Sequence, residues 1–412
     1  MKRKLIIINA MIFPVPAVNG GAVETLLESF IKQANTDSEF EITVVSLADP
    51  EAERISQTYS TIRFIWLPRP QLLDCADQGI TKFLRTIKRD PNLWQKNYLW
   101  QLRVKKQVQA ILQEQSFDLV LVENAMFLMK LFEKRELAQK YEQKVIFHSH
   151  NLHFRQLAST QALAGVITVS HFLEENSRSC FGRDVTMQVV YNGLDSSLFQ
   201  KEVSHQKLKT LRDKWGIPAR SQILVFVGRI LPKKGVGELI QAFERFNHPE
   251  AHLLLVGASS FGMKEETAFE LDVAERVQEN SRIHATGFVP HHELGNYYAL
   301  ADVVVLPSIW EEPLGLTMIE AQMAGRPLIT TSQGGIPETS HSETSLILDL
   351  GPNFVVDLAQ AMEQVLSHPV TWEEKAKEAQ KWALSHFNEE TYYKNMKQAL
   401  LNFDKKKGTE IH

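Results

Sequence analysis

The chain has 412 residues, 44% of them hydrophobic, with a net charge of −4 and a pI near 6.4. That length exceeds one ordinary hydrophobic core and implies two domains, while the near-balanced charge argues against a general nucleic-acid binder. No segment has the roughly 20 apolar residues that a membrane-spanning helix needs. Cys75 and Cys180 are the only cysteines and no Asn-x-Ser/Thr acceptor occurs, so a cytoplasmic protein with free thiols is expected.

The start, MKRKLIIINAMIF, has the basic head and apolar run of a signal peptide. The run is short, however, contains Asn9, and leads into PVPAVNGG rather than a small-residue cleavage site, so it reads as a first buried strand. Apolar runs then alternate with helix-like stretches along the chain, the pattern of parallel sheets with helical crossovers. In the first half strands are expected at Leu5 to Asn9, Ile42 to Ser46, Ile62 to Leu67, Leu119 to Val122, Val145 to His148, Val166 to Ser170 and Gln188 to Tyr191. A second series is expected at Ile223 to Val227, His252 to Val256, Ile283 to Gly287, Val303 to Leu306, Leu328 to Thr331 and Leu346 to Leu350. Two doubly wound α/β sheets follow. The polar, lysine-rich stretch from Asp195 to Ile217, closed by Pro218, reads as the linker.

Along this frame, Gly20 and Gly21 follow the first strand, where backbone without a Cβ lets a ligand approach closely; a plain turn is the alternative. Residues Thr81 to Lys106 interleave cations, among them Lys82, Arg85, Lys88 and Arg89, with Trp94 and Trp100. Such a mixture suits an anionic membrane surface, although a solvated basic helix with its aromatics in the core has the same signature. His148 closes the fifth strand and His150 and His153 follow it, too few ligands for a metal site by themselves. Tyr191-Asn192-Gly193-Leu194-Asp195 holds an Asn-Gly turn.

The densest chemistry lies in SIWEEPLGLTMIEAQMAGRPLITTSQGGIP, from Ser308 to Pro337. It leaves the doubly buried strand VVVL, and the carboxyl ends of such strands are where open α/β sheets bind ligands. A Pro-Leu-Gly turn opens a helix whose first N–H groups, at Gly315, Leu316 and Thr317, lack intrahelical partners and suit a phosphate. Glu312 before the turn and Glu320 on the helix would repel that phosphate, so they are expected to accept from hydroxyl groups. Phosphates together with polyhydroxylated groups point to a sugar nucleotide.

This stretch resembles the retaining glycosyltransferases of family 4, whose E-x7-E signature is matched by Glu312 and Glu320. GRILPKKG resembles the family's G-R-x4-K-G pattern, which selects Arg229 and Lys234, with Lys233 a competitor for the second place. The resemblance covers nearly the whole chain and is weakest from about residue 50 to 115. It implies a GT-B fold, two Rossmann-like domains facing across a cleft, with residues 1–195 on the acceptor side, 196–384 binding the nucleotide sugar, and a crossover helix at about 385–412. It further implies that Gly20 and Gly21 lie against the donor and that a histidine after the fifth strand, His150 or else His148, reaches the transferred sugar. Phe288 and Val289 would line the base, and Asn192 would be a secondary contact. Arg229 and Lys234 would grip the diphosphate, Glu312 the sugar hydroxyls and Glu320 the ribose.

The activity implied is retaining transfer of a hexosyl group from a nucleoside-diphosphate sugar, UDP-hexose before GDP-mannose, to a glycan or polyprenyl-linked glycan. No Asp-x-Asp pair occurs, so metal-independent catalysis without a cofactor is expected, and no placed carboxylate nucleophile suggests a double displacement. A same-face mechanism is the expectation. A nucleotide-sugar epimerase, a phosphorylase or a non-catalytic sugar-binding protein are the alternatives.

Overall fold

The computed structural model describes residues 2–37, 39–70, 97–153, 161–246, 248–258 and 267–405, with 73, 76, 77 and 79. The chain divides into two compact units. The first takes residues up to Val169, Leu173–Val190 and the chain from Tyr392 onward; the second takes Ser170–Phe172 and Tyr191–Thr391.

The first unit is built on a seven-stranded, wholly parallel sheet ordered β3-β2-β1-β4-β5-β6-β7. Its strands are β1 Arg3–Ile8, β2 Phe40–Leu47, β3 Ile62–Leu67, β4 Leu119–Glu123, β5 Val145–Ser149, β6 Leu163–Thr168 and β7 Met187–Val189. Continuous apolar runs form these strands because both faces of the sheet are covered. Ile6, Ile8, Val120 and Val122 point into one core cluster, whereas Leu5, Ile7, Leu119 and Leu121 point into another. Each such side chain contributes about 1.5–3 kcal/mol on burial, so the alternating registers are firmly set. Helix α1, Ala22–Ala34, covers one face with Leu26, Leu27, Phe30 and Ile31. Helix α2, Tyr98–Glu114, covers the other with Trp100, Val104, Val108 and Leu112 at helical spacing.

Trp100 therefore takes the core alternative and does not belong to a membrane-facing patch. Its ring is 2% exposed and packed in the core, beneath the Arg69 guanidinium at 5.4 Å. Lys82, Arg85, Lys88, Arg89 and Trp94, like Cys75, lie outside the described residues. Among the described residues no helix is long and apolar enough to cross a membrane.

The second unit carries a six-stranded parallel sheet ordered β10-β9-β8-β11-β12-β13. These strands are β8 Gln222–Val227, β9 Ala251–Val256, β10 Ile283–Ala285, β11 Val303–Leu306, β12 Leu328–Thr331 and β13 Leu346–Leu348. The helices that matter to the site are α3 Val236–Arg245, α4 Leu294–Leu300 and α5 Leu316–Met323. The two sheets make the chain a pair of Rossmann-like domains, as the alternating pattern predicts.

The stretch expected to be a linker is mostly helical and belongs to the second unit. Ser197–Gln200 and His205–Lys214 are helices, and Phe199 and Leu211 are buried. Its polarity reflects the solvent side of short amphipathic turns rather than a free tether. The boundary lies between Val190 and Tyr191, and among the described residues beyond it the final helix, Glu389–Lys405, enters the first unit's core, through Tyr392, Met396, Leu400 and Phe403. Trp372, in the preceding helix Pro369–His386, stays in the second unit.

Candidate active site

In each sheet the winding reverses once, between β1 and β4 in the first unit and between β8 and β11 in the second. Loops leaving the carboxyl ends of such neighbours part in opposite directions and open a crevice. The site residues collect at these two places.

In the second unit, β8 runs into Gly228-Arg229 and a short 3-10 turn, Pro232–Lys234, before α3. Gly235 closes the turn with φ 71°, and a Cβ there would lie 1.9 Å from the Pro307 carbonyl oxygen. Glycine is thus required for this loop to lie against the end of β11. The Ile309 N–H donates to the Lys233 carbonyl at 3.1 Å and fastens the two loops together.

That fastening delivers Lys234 to Glu312. The Lys234 ammonium donates to Glu312 Oε1 at 2.6 Å, and Ser308 Oγ donates to the same oxygen at 2.8 Å. The Glu312 backbone is braced by the Gln-Gly-Gly turn after β12. Gly335 N–H donates to the Glu312 carbonyl at 2.7 Å, and a Cβ on Gly334 would come within 2.4 Å of that same oxygen. Lys234, Ser308 and Glu312 line a small cavity with Phe226, Thr317 and Met318. Helix α5 begins at its edge. Gly315 is its N-cap with φ 98° and no side chain caps it; the Met318 N–H turns back to the Gly315 carbonyl at 3.2 Å, which leaves the N–H groups of Leu316 and Thr317 for a ligand.

The positive charge is concentrated here. Lys233 lies with its ammonium 4.6 Å from the Trp310 ring centre. Burial, and then the neighbouring charges of Arg229 and Lys234, hold its pKa below the usual lysine value. Three cations this close repel one another, and a bound polyanion would relieve that repulsion. Arg229 itself is exposed to solvent.

Glu320, on α5, is buried and held from two sides. Tyr298 Oη donates to it at 2.8 Å and His291 Nε2 approaches at 3.0 Å. Phe199 packs against both partners, with ring centres 5.8 Å from each. Burial, reinforced by the Glu320 charge, raises the Tyr298 hydroxyl pKa well above the tyrosine norm, so it remains a donor. The hydrogen bond to Glu320 raises the His291 pKa despite burial. After β10, Phe288 stands 59% exposed beside Gly287, whose carbonyl accepts from Gly257 N–H at 3.2 Å; Val289 is half-buried.

In the first unit, Gly20 and Gly21 form the loop between β1 and α1. Glu24 lies beneath Gly21, where it accepts from Phe13 N–H at 3.3 Å, and burial pushes its pKa up to about 7. Glu123 ends β4, opposite His148 in the parallel register. Its carboxylate is 3.0 Å from His148 Nδ1 and 3.1 Å from His150 Nε2. His148 is fully buried, its Nε2 without a partner, whereas His150 keeps a small exposed edge. Burial outweighs the carboxylate and lowers the His150 pKa to about 4, and the two histidines in turn hold Glu123 near 2. Their ligand atoms lie within 4.8 Å of one another, as a metal site would require. The hydrogen bonds account for the same arrangement without one.

Asn192, expected as a secondary contact, is buried in the second unit with Oδ1 unpartnered. Its neighbour Tyr191 donates to Glu338 at 3.0 Å, and Glu338 also accepts from the His171 and Phe172 N–H groups at 2.8 Å. Residues that the sequence reading did not single out include Glu24, Glu123, His291, Tyr298, Ser308 and Glu338. Glu123 had a signal, an acid closing the apolar run LVLV at the sheet's winding reversal.

Residues 208–383 match the family model for glycosyl transferases, group 1, and so fall within the second unit. A putative glycosyltransferase of Bacillus subtilis, YtcC, is 27% identical over 395 residues, covering 92% of this chain and 87% of its own. The crystal structure of Anabaena HepE in complex with UDP-glucose superposes with a TM-score of 0.71 at 20% identity, covering 97% of this chain and all of HepE. A glycosyltransferase structure from Rickettsia africae gives 0.74 at 17% identity, with 98% of each chain covered. The fold is GT-B, and the protein is an enzyme of the glycosyltransferase class.

Proposed function

We propose that this enzyme transfers a hexosyl group, with retention of anomeric configuration, from a nucleoside-diphosphate sugar to a glycan or polyprenyl-linked glycan. The observation that carries the reading is the Lys234–Glu312 pair beside the uncapped start of α5, with Glu320 one helical stretch further on. In this reading Arg229, Lys234 and the N–H groups of Leu316 and Thr317 neutralise the departing diphosphate, an electrostatic stabilisation of the transition state. Glu312 accepts hydrogen bonds from the transferred sugar and Glu320 from the ribose. Phe288 and Val289 offer the base an apolar wall, and in the first unit His150, with Gly20 and Gly21, is read as facing substrate.

A UDP-hexose is the preferred donor, supported by the UDP-glucose bound to HepE, with GDP-mannose second. Fixed cations serve where an Asp-x-Asp site would hold a metal, so no metal or cofactor is needed. The acceptor attacks the face the diphosphate leaves, and a departing phosphate oxygen takes its proton. The family likeness supports this over double displacement. Peripheral contact with an anionic membrane belongs to the proposal for a lipid-linked acceptor.

Thermal-shift titration with UDP, GDP, ADP and their hexose derivatives ranks the donor, and a UDP-hexose is expected to give the largest shift. NMR of the product from an α-linked donor should then show an α-linkage. A β-linked product would overturn the retaining reading, and transfer abolished by EDTA but restored by Mg²⁺ would overturn the metal-independent one.

A further inference from the structure

We propose that Glu123 is a positioning residue that holds His150 in the Nε2–H tautomer, leaving Nδ1 as a hydrogen-bond acceptor for a hydroxyl of the substrate. The inference rests on the reading above in giving His150 a substrate-facing role, but the tautomer follows from geometry alone. An ionised carboxylate has no proton to give. Glu123 lies 3.1 Å from His150 Nε2 and 3.0 Å from His148 Nδ1, so both of those nitrogens must carry hydrogen. The pair is locked by backbone as well. Glu123 and His148 are register partners on β4 and β5, and the His150 N–H donates to Asn124 Oδ1 at 3.2 Å.

The two rings stand 4.0 Å apart, centre to centre, and a second positive charge there would be repelled by the first. A neutral imidazole whose Nε2–H is committed to Glu123 has one remaining function, to accept through Nδ1. His148 cannot take that place. It is wholly buried, and its free Nε2 is sealed within the protein. Glu123 contacts both rings, so what discriminates His150 from His148 is the edge of His150 that stays exposed while His148 is wholly buried, not the spacing of the histidines.

The test is long-range ¹H–¹⁵N NMR on the full chain with ¹⁵N-labelled histidine, His150 being assigned by its disappearance in His150→Gln. The expected result is a pyrrole-like Nε2 and a pyridine-like Nδ1 at neutral pH. A protonated Nδ1 would overturn the assignment without touching the glycosyltransferase reading, as would loss of the pattern on EDTA treatment, which would mark a metal site. Glu123→Gln, which can accept only on one side and donates on the other, should mix the tautomers. It should lower kcat by about tenfold or more with the donor KM little changed. Full activity in Glu123→Gln with inactivity in His150→Ala would sink the positioning role alone. Full activity in His150→Ala would remove the functional reading of His150 while the NMR result stood.

Discussion

Lys234 Nζ and Glu312 Oε1 are 2.6 Å apart, a cation from the loop after β8 joined to a carboxylate from the loop after β11. In the proposed reaction each has a different partner, the diphosphate for Lys234 and the sugar for Glu312. The pair holds both groups in place before substrate arrives, so neither charge stands uncompensated in a half-buried site. Lys234→Ala should therefore lower transfer about 100-fold, equivalent to about 2.7 kcal/mol of transition-state stabilisation. Steady-state kinetics with a fixed acceptor checks it, and wild-type turnover would contradict the role.

Glu320 is held by Tyr298 and His291, so its proposed contact with the ribose depends on how these two side chains orient the carboxylate. Glu320→Gln should weaken UDP binding about tenfold with a smaller effect on kcat. Tyr298→Phe removes one buried hydrogen bond and should cost about 1 kcal/mol of stability. Calorimetric titration and urea unfolding read the two effects separately.

The thirteen strands were legible because strands buried on both faces are continuous apolar runs, and their order of alternation with helices announces parallel sheets. The apparent linker misled because His205–Lys214 exposes most of its surface and buries only Leu211. Of the site, Glu312 and Glu320 stood out since acids flanking a glycine turn are conspicuous in sequence. Their supports did not. Ser308, Tyr298 and His291 are ordinary residue types until tertiary packing brings them within about 3 Å of a carboxylate. For Trp100 the sequence left two readings open, because interleaved basic and aromatic residues look alike whether the ring faces lipid or core, and the structure places the ring in the core.

Burial of Trp100 carries its own prediction. Trp100→Ala empties a core position on α2 and should destabilise the protein by about 3–5 kcal/mol, measurable by urea unfolding. An unchanged midpoint would contradict its place in the core.

Glu24 gives a pH dependence. Its folded pKa is raised to about 7 from 4.5, so the folded state holds the proton more tightly than the unfolded chain. The stabilisation is fully present below pH 4.5 and is lost as pH rises toward about 7, at most about 3 kcal/mol across that window. Glu123 and His150, both lowered, act in the opposite direction on acidification, so the difference between wild type and variant isolates Glu24. Glu24→Gln should raise Tm at pH 8 more than at pH 5. Equal shifts at both would contradict the assignment.

The most direct measurement is calorimetric titration of UDP-glucose into wild type, Lys234→Ala and Glu320→Gln under identical salt. Saturable binding to wild type, weakened about tenfold or more in each variant, is the predicted result. Indistinguishable affinities in all three proteins would show that an activated sugar is held somewhere other than at the ends of β8 and β11.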